Sequence, residues 1–267
     1  MDGSAAALYQ RYLVPAVTVL WADDLVGRAR LARGERVLDV ACGTGVATRV
    51  AAERVGRDGR VVGLDVNTEM LAVARSLSEV DGAPVEWREG SALSLPFPET
   101  MFDVVLCQLG LQFFPDRLLA LTEMKRVLLT QGRLGASVYG PIEHNPATLA
   151  LSEALDRHVG SDASVAKRAE HALADAEQLQ TLIATAGFRD VVVNTVVKRI
   201  TFRSPADYVR IQLSATPLAS LISRYERDNA GRLAEAVTGD VSVALSAFTQ
   251  EGSLTFPQEA YVALARR

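Results

Sequence analysis

From residue 35 to 140, short runs of apolar and β-branched residues alternate with longer stretches in which apolar residues recur at three- and four-residue spacing. Continuous apolar runs mark strands covered on both faces, and the wider spacing marks helices with one buried face. The alternation predicts βαβ units around a parallel sheet. The expected strands are Arg36–Val40, Arg60–Asp65, Val85–Arg88, Phe102–Cys107 and Gly132–Tyr139. Between them Ala47, Val50, Ala51 and Arg54, then Met70, Leu71, Ala74 and Leu77, mark helices lying on the sheet.

Strand character is lost from Pro141 to Ala172, a segment that carries all three histidines, His144, His158 and His171, and reads as helix and loop over the sheet. His158 and His171 fall in polar stretches and are expected at the surface. Asp175, with Gln178 three residues on, resembles a helix N-terminal box ahead of Leu179, Leu182 and Ile183, and Gly187 is placed to end that helix. An alternating strand follows from Val191 to about Phe202. Ser204, Pro205 and Asp207 supply an N-cap, a first-turn proline and an early acid. Thr216 and Pro217 restart a helix whose Leu218, Leu221, Ile222 and Tyr225 share a face, turned to a core or to a second subunit in a homodimer. Leu254–Ala265 reads as a closing strand.

Composition narrows the function classes. With 49% hydrophobic and 22% charged residues the chain has the makings of a packed core. Its 28 basic and 32 acidic residues leave a net charge of -4 and form no basic run that would track a phosphate backbone, so neither nucleic acid nor an anionic membrane is expected as partner. The N-terminus lacks a secretory pattern, and no run reaches the roughly 18 apolar residues of a membrane span, so the expectation is a cytoplasmic protein. Cys42 and Cys107 are too few for a disulfide framework or a zinc site. Lysine occurs only at Lys125, Lys167 and Lys198, a scarcity that reads as a coding bias without mechanism.

The strongest chemical signal is Val37-Leu38-Asp39-Val40-Ala41-Cys42-Gly43-Thr44-Gly45, a strand running through a small-residue turn into a helix. Glycines there let a ligand approach the backbone. A dinucleotide fold wants another glycine where Thr48 stands, and Asp39 would repel a pyrophosphate while favouring a cation. A nicotinamide dehydrogenase is therefore the weaker reading. Asp65, ending the second strand 20 residues after Gly45, is suited to accept both ribose hydroxyls, or else caps the following helix.

These residues, with Gly63 to Asp65, Gly90-Ser91-Ala92, Leu95-Pro96-Phe97, Phe102 to Val105, and Arg126 to Leu128 leading to Gly132, resemble the class I S-adenosylmethionine-dependent methyltransferases, of the kind similar to ubiquinone and menaquinone biosynthesis enzymes. The resemblance implies a Rossmann-like, doubly wound, seven-stranded α/β sheet, mostly parallel with the last strand antiparallel, carrying helical cap insertions. On that plan residues 1–267 form one domain: a helical cover at 1–34, a cofactor-binding core at 35–140, caps at 141–172 and 204–250, and the remaining sheet elements at 173–203 and 251–267. It implies that the turn from Ala41 through Gly43 to Gly45 lies beside the methionine part of S-adenosylmethionine, whose ammonium and sulfonium are the cation that the charge of Asp39 by itself favours. It also implies that Asp65 holds the ribose, Val66 and Met70 flank the adenine, Ser91 and Ala92 lie at its edge, and the backbone at Cys107 and Gln108 meets the ammonium. In similar enzymes the N-terminal helix covers the cofactor, and Tyr9 is the residue expected at the methionine end; Tyr9, Tyr12 and Trp21 otherwise simply pack the helix onto the body. Two departures stand out: Ala41 replaces the turn's first glycine, with ordinary backbone angles expected, and Ser91 replaces a frequent acid.

Missing motifs prune the acceptor. Cys107-Gln108-Leu109-Gly110 replaces the Asn- or Asp-Pro-Pro-Tyr of amino-methylating DNA enzymes, no proline precedes a cysteine, and the paired glutamates of protein arginine methyltransferases have no counterpart. Cys107 and Gln108 are poor ligands for magnesium, so no metal is expected. What remains is methyl transfer to a small lipophilic or aromatic metabolite with release of S-adenosylhomocysteine, against the alternative of a non-catalytic or repurposed S-adenosylmethionine-binding protein. Gln112 and Phe113, after the fourth strand, are expected to line the acceptor site. His144, just past the fifth strand, is the candidate general base, with loop bracing as its other reading.

Overall fold

The computed structural model describes residues 3–78, 80–216, 218–219 and 232–267; Pro217, Leu221, Ile222 and Tyr225, from the helix face expected above, lie outside the described residues. The strands are β1 (Arg36–Val40), β2 (Arg60–Asp65), β3 (Val85–Glu89), β4 (Phe102–Gln108), β5 (Leu128–Tyr139), β6 (Arg189–Phe202), β7 (Thr249–Gln250) and β8 (Ser253–Arg266). They form one sheet in the order β3-β2-β1-β4-β5-β8-β6, with the two-residue β7 paired to β8. The seven expected strands are present, and β7 is the addition. β1 to β5 run parallel, while β8 lies antiparallel to both β5 and β6.

Alternate residues of each strand feed opposite faces, which is why the runs read as continuously apolar. Val37, Val61, Val104 and Leu106 belong to one buried apolar cluster with residues of the N-terminal helices and of the helices Pro146–His158 and Pro205–Ala215. Leu38, Val62, Val105 and Cys107 pack against the helices Arg117–Val127 and Ala176–Thr185. The helix signals act as expected: Asp175 accepts from the Glu177 and Gln178 amides, Ser204 from that of Asp207, and Gly187 sits at φ 86°.

The N-terminal segment is helical from Ala5–Leu8, widens into π turns over Tyr9–Thr18 around Pro15, and continues through Val19–Ala29. Trp21, wholly buried, anchors it by donating from Nε1 to Gln258 Oε1 on β8 at 2.7 Å. This helical cover and the helices following β5 and β6 roof the carboxyl ends of the strands. Among the described residues no helix is long and apolar enough to cross a membrane.

Candidate functional site

The strand order reverses between β1 and β4, so the loops leaving them part and open a crevice at their carboxyl ends. A cavity of about 750 Å³ occupies it, bounded by the turn after β1, the end of β2, the N-terminal helices and the helices over β5. Its size is toward the upper end of the roughly 300–1,000 Å³ usual for small-ligand sites.

At the sheet end, Asp39 is fully buried, and Thr48 donates its hydroxyl to Oδ2 at 2.6 Å while Oδ1 has no partner. Thr48, where a dinucleotide motif has glycine, is therefore the residue that fixes this carboxylate. Burial pushes the Asp39 carboxyl up to about 7, with the Thr48 hydroxyl opposing and the Asp65 charge adding. Asp65 Oδ2 accepts from the Gly43 amide at 2.7 Å and Oδ1 from the Asn67 amide at 2.8 Å, which leaves each oxygen further acceptor capacity. Gly43 sits at φ 56°, and a Cβ there would meet nothing within 4 Å, so the turn presents bare backbone to open space.

Of the remaining expected cofactor residues, Tyr9, Ala41, Val66, Met70, Ser91, Ala92 and Gln108 also line the cavity. Burial raises the Tyr9 hydroxyl to about 12, the Thr18 hydroxyl opposing and the Glu170 and Asp65 charges adding. Gln108 is steered by its donation to the Thr18 carbonyl at 2.8 Å. Tyr12, by contrast, is held between the Arg11 and Arg210 guanidinium groups, 5.3 and 5.2 Å from its ring.

Several expectations need correction. Ala41 does not keep ordinary angles: its φ is 59°, the left-handed region that costs a non-glycine residue about 1–2 kcal/mol. Gly45 does not line the cavity; a Cβ there would fall 2.1 Å from the Trp87 ring, so its missing side chain serves packing behind the turn. The expectation at Cys107 concerns its backbone and stands apart from these corrections; its side chain points into the opposite core, because neighbours on a strand face opposite ways, and burial pushes its thiol well up. Gln112 is turned inward, 3% exposed, donating to the Leu109 carbonyl at 2.9 Å, while Phe113 stands at the cavity wall. His144 lies outside the cavity, its side chain 58% exposed and Nδ1 3.0 Å from Glu259 Oε1, a carboxylate that raises its pKa. The surface expectation fails for His171, which is buried with Nδ1 2.6 Å from the Gly140 carbonyl; half-exposed His158 pairs with Asp240 at 2.9 Å.

Sequence reasoning missed the far wall, where Lys167, Glu170 and Gln212 face the cavity beside Tyr139 and Tyr208. The one signal was a rare lysine in a segment otherwise without strand or helix punctuation.

Comparison with known proteins points the same way as the geometry. A family described as "Methyltransferase domain" matches residues 38–136. A chloroplastic 2-phytyl-1,4-beta-naphthoquinone methyltransferase of Arabidopsis thaliana is 33% identical over 182 residues, covering 63% of this chain and 70% of its own length. A demethylmenaquinone methyltransferase of Listeria monocytogenes is 41% identical over 117 residues, covering 43% of this chain, and the chain spans about half of that relative, 49%. Among solved structures, the [4+2]-cyclase SpnF superposes with a TM-score of 0.54 at 22% identity, covering 93% of this chain and 80% of the other, a likeness of fold alone.

Proposed function

The chain belongs to the class I S-adenosylmethionine-dependent methyltransferases of the quinone-biosynthesis type, and we propose that it methylates a small lipophilic or aromatic acceptor of quinone type, without a metal ion. The observation that carries this reading is a single cavity joining a nucleoside-suited end at Asp39, Gly43 and Asp65 to a far wall under the cap helices where Tyr139, Phe202, Tyr208 and Phe256 stand beside one polar group, Lys167, Glu170 and Gln212.

The residues present suit the cofactor. Asp39 Oδ1 is a buried acceptor without a partner, Asp65 keeps acceptor capacity on both oxygens, and Gly43 leaves room for close approach. Asp65 would take the ribose hydroxyls, Val66, Met70, Ser91 and Ala92 would enclose the adenine, and Tyr9, Gln108 and the Asp39–Gly43 turn would hold the amino-acid end. S-adenosylmethionine supplies a methyl group already activated by its sulfonium, so the protein's task is alignment at about 3–3.5 Å and exclusion of water. Tyr9 and the N-terminal helices cover that junction, and Phe113 walls the acceptor side. We place the whole of residues 1–267 in one such domain.

Against this stands use of the same pocket without methyl transfer, since fold does not dictate function. Incubation with methyl-labelled S-adenosylmethionine and a panel of reduced naphthoquinones separates the two. Label in the organic phase with matching S-adenosylhomocysteine release is expected; tight cofactor binding with no label in any acceptor would leave a binding protein.

A further inference from the structure

The cap end of the cavity holds a polar group outside the 38–136 segment that the family match covers. Lys167 lies in the short helix Val165–Ala169, Glu170 caps that helix, and Gln212 comes from the helix Pro205–Ala215. Lys167 Nζ donates to the two Glu170 carboxylate oxygens at 2.7 and 2.9 Å and to Gln212 Oε1 at 3.0 Å. All three ammonium hydrogens are thus engaged, in a lysine only 4% exposed. Tyr139 and Tyr208 line the same cavity, as does Tyr9 at its junction with the sheet end. Burial raises each of their hydroxyls, and the Glu170 charge adds to each rise.

The accounting at this carboxylate favours one kind of occupant. A carboxylate accepts about four hydrogen bonds and Lys167 uses two, so Glu170 keeps acceptor capacity on the cavity. An anion would meet that carboxylate with the only nearby ammonium already saturated. A cation would find its charge cancelled by Lys167. A neutral hydroxyl can donate to Glu170 and accept from a tyrosine, with Phe202 and Phe256 against its apolar body. A buried ion pair adds little stability over apolar side chains of equal volume, so what this one supplies to a cavity wall is an acceptor fixed in place.

We propose that Glu170, fixed by Lys167 and Gln212, accepts a hydrogen bond from a free hydroxyl of the acceptor and so selects neutral hydroxylated aromatics over their O-alkylated analogues. Glu170 is here the group that touches the acceptor, Lys167 and Gln212 are its positioning residues, and the proposal rests on the methyl-transfer reading above.

The test is calorimetry on the full chain saturated with S-adenosylhomocysteine, titrated with naphthol and with its methyl ether. Naphthol should bind at least about tenfold tighter, a preference of the size a hydrogen bond to a charged group supplies. Glu170→Gln should cut that ratio to about threefold or less while S-adenosylhomocysteine affinity stays within about twofold. A second variant, Lys167→Met/Glu170→Leu, leaves no unpaired buried charge and should abolish the preference. An unchanged ratio in these variants, or no preference in the parent chain, overturns the proposal, as does loss of cooperative melting in both variants, which would make the pair a structural brace. Failure of the parent chain to bind S-adenosylhomocysteine at all would instead overturn the methyl-transfer reading beneath it.

Discussion

At the sheet end of the cavity the polar groups are held by main chain and immediate neighbours: Asp65 by the Gly43 and Asn67 amides, Asp39 by Thr48 one helical turn into the next element. At the cap end Lys167 and Gln212, 45 positions apart, hold one another side chain to side chain. The first arrangement follows wherever a strand, a tight turn and a helix are followed by a second strand that pairs beside the first. The second exists only if two separate helices dock in one way. The proposed cofactor contacts thus rest on neighbouring strand ends and their turn, whereas the proposed acceptor contacts depend on how the roof assembles.

The sharpest way to break that contrast is to disturb the turn itself. Gly45→Ala would force a side chain into φ 85° and 2.1 Å from the Trp87 ring, and should destabilise the fold by about 3 kcal/mol in urea unfolding. The same change in the cap helix, Gly239→Ala, meets nothing within 4 Å and should stabilise by up to about 1 kcal/mol. Equal effects at the two sites would mean that the turn is no more constrained than the roof.

Next in size, Asp65→Ala removes a carboxylate held by two amides and should weaken S-adenosylmethionine binding by about thirtyfold, roughly 2 kcal/mol, in calorimetry. Affinity unchanged by this variant would contradict the proposed ribose contact.

Asp39 makes the sheet end pH-sensitive. Its native carboxyl is raised from 3.8 to about 7, so between those values the folded chain holds the proton more tightly than the unfolded one. That contribution to stability is therefore lost as pH rises through this window and is flat above about 7. A positive ligand prefers the ionised form, so its binding releases a proton. S-adenosylmethionine affinity should rise by up to about tenfold per pH unit below 7 and level off above it. Asp39→Asn should flatten the profile; a parent chain without the slope would show that Asp39 is already ionised when empty.

The smallest effect is expected at His144. A general base usually contributes 10² to 10⁴-fold, but this imidazole is exposed, paired with Glu259 and outside the cavity. Turnover of His144→Ala should stay within about twofold of the parent chain, and a loss of tenfold or more would restore it as a base.

The sheet was legible because its strands are local apolar or alternating runs whose ends are marked by charge, turn or glycine, and β1 and β2 begin and end where the pattern places them. Asp39, Gly43 and Asp65 were legible for the same reason: a strand end, a turn and a second strand end bring them together in any doubly wound sheet. What only the tertiary structure decided was direction and company. Gln112 and Phe113 are adjacent in the chain, yet one turns inward and the other walls the cavity. The three histidines look alike in sequence, and only packing buries His171 while leaving His144 exposed. Lys167, Glu170 and Gln212 carry no spacing that announces a site. They become one because helices far apart in the chain close over the same strands, and contacts of that separation are set by packing rather than by local pattern.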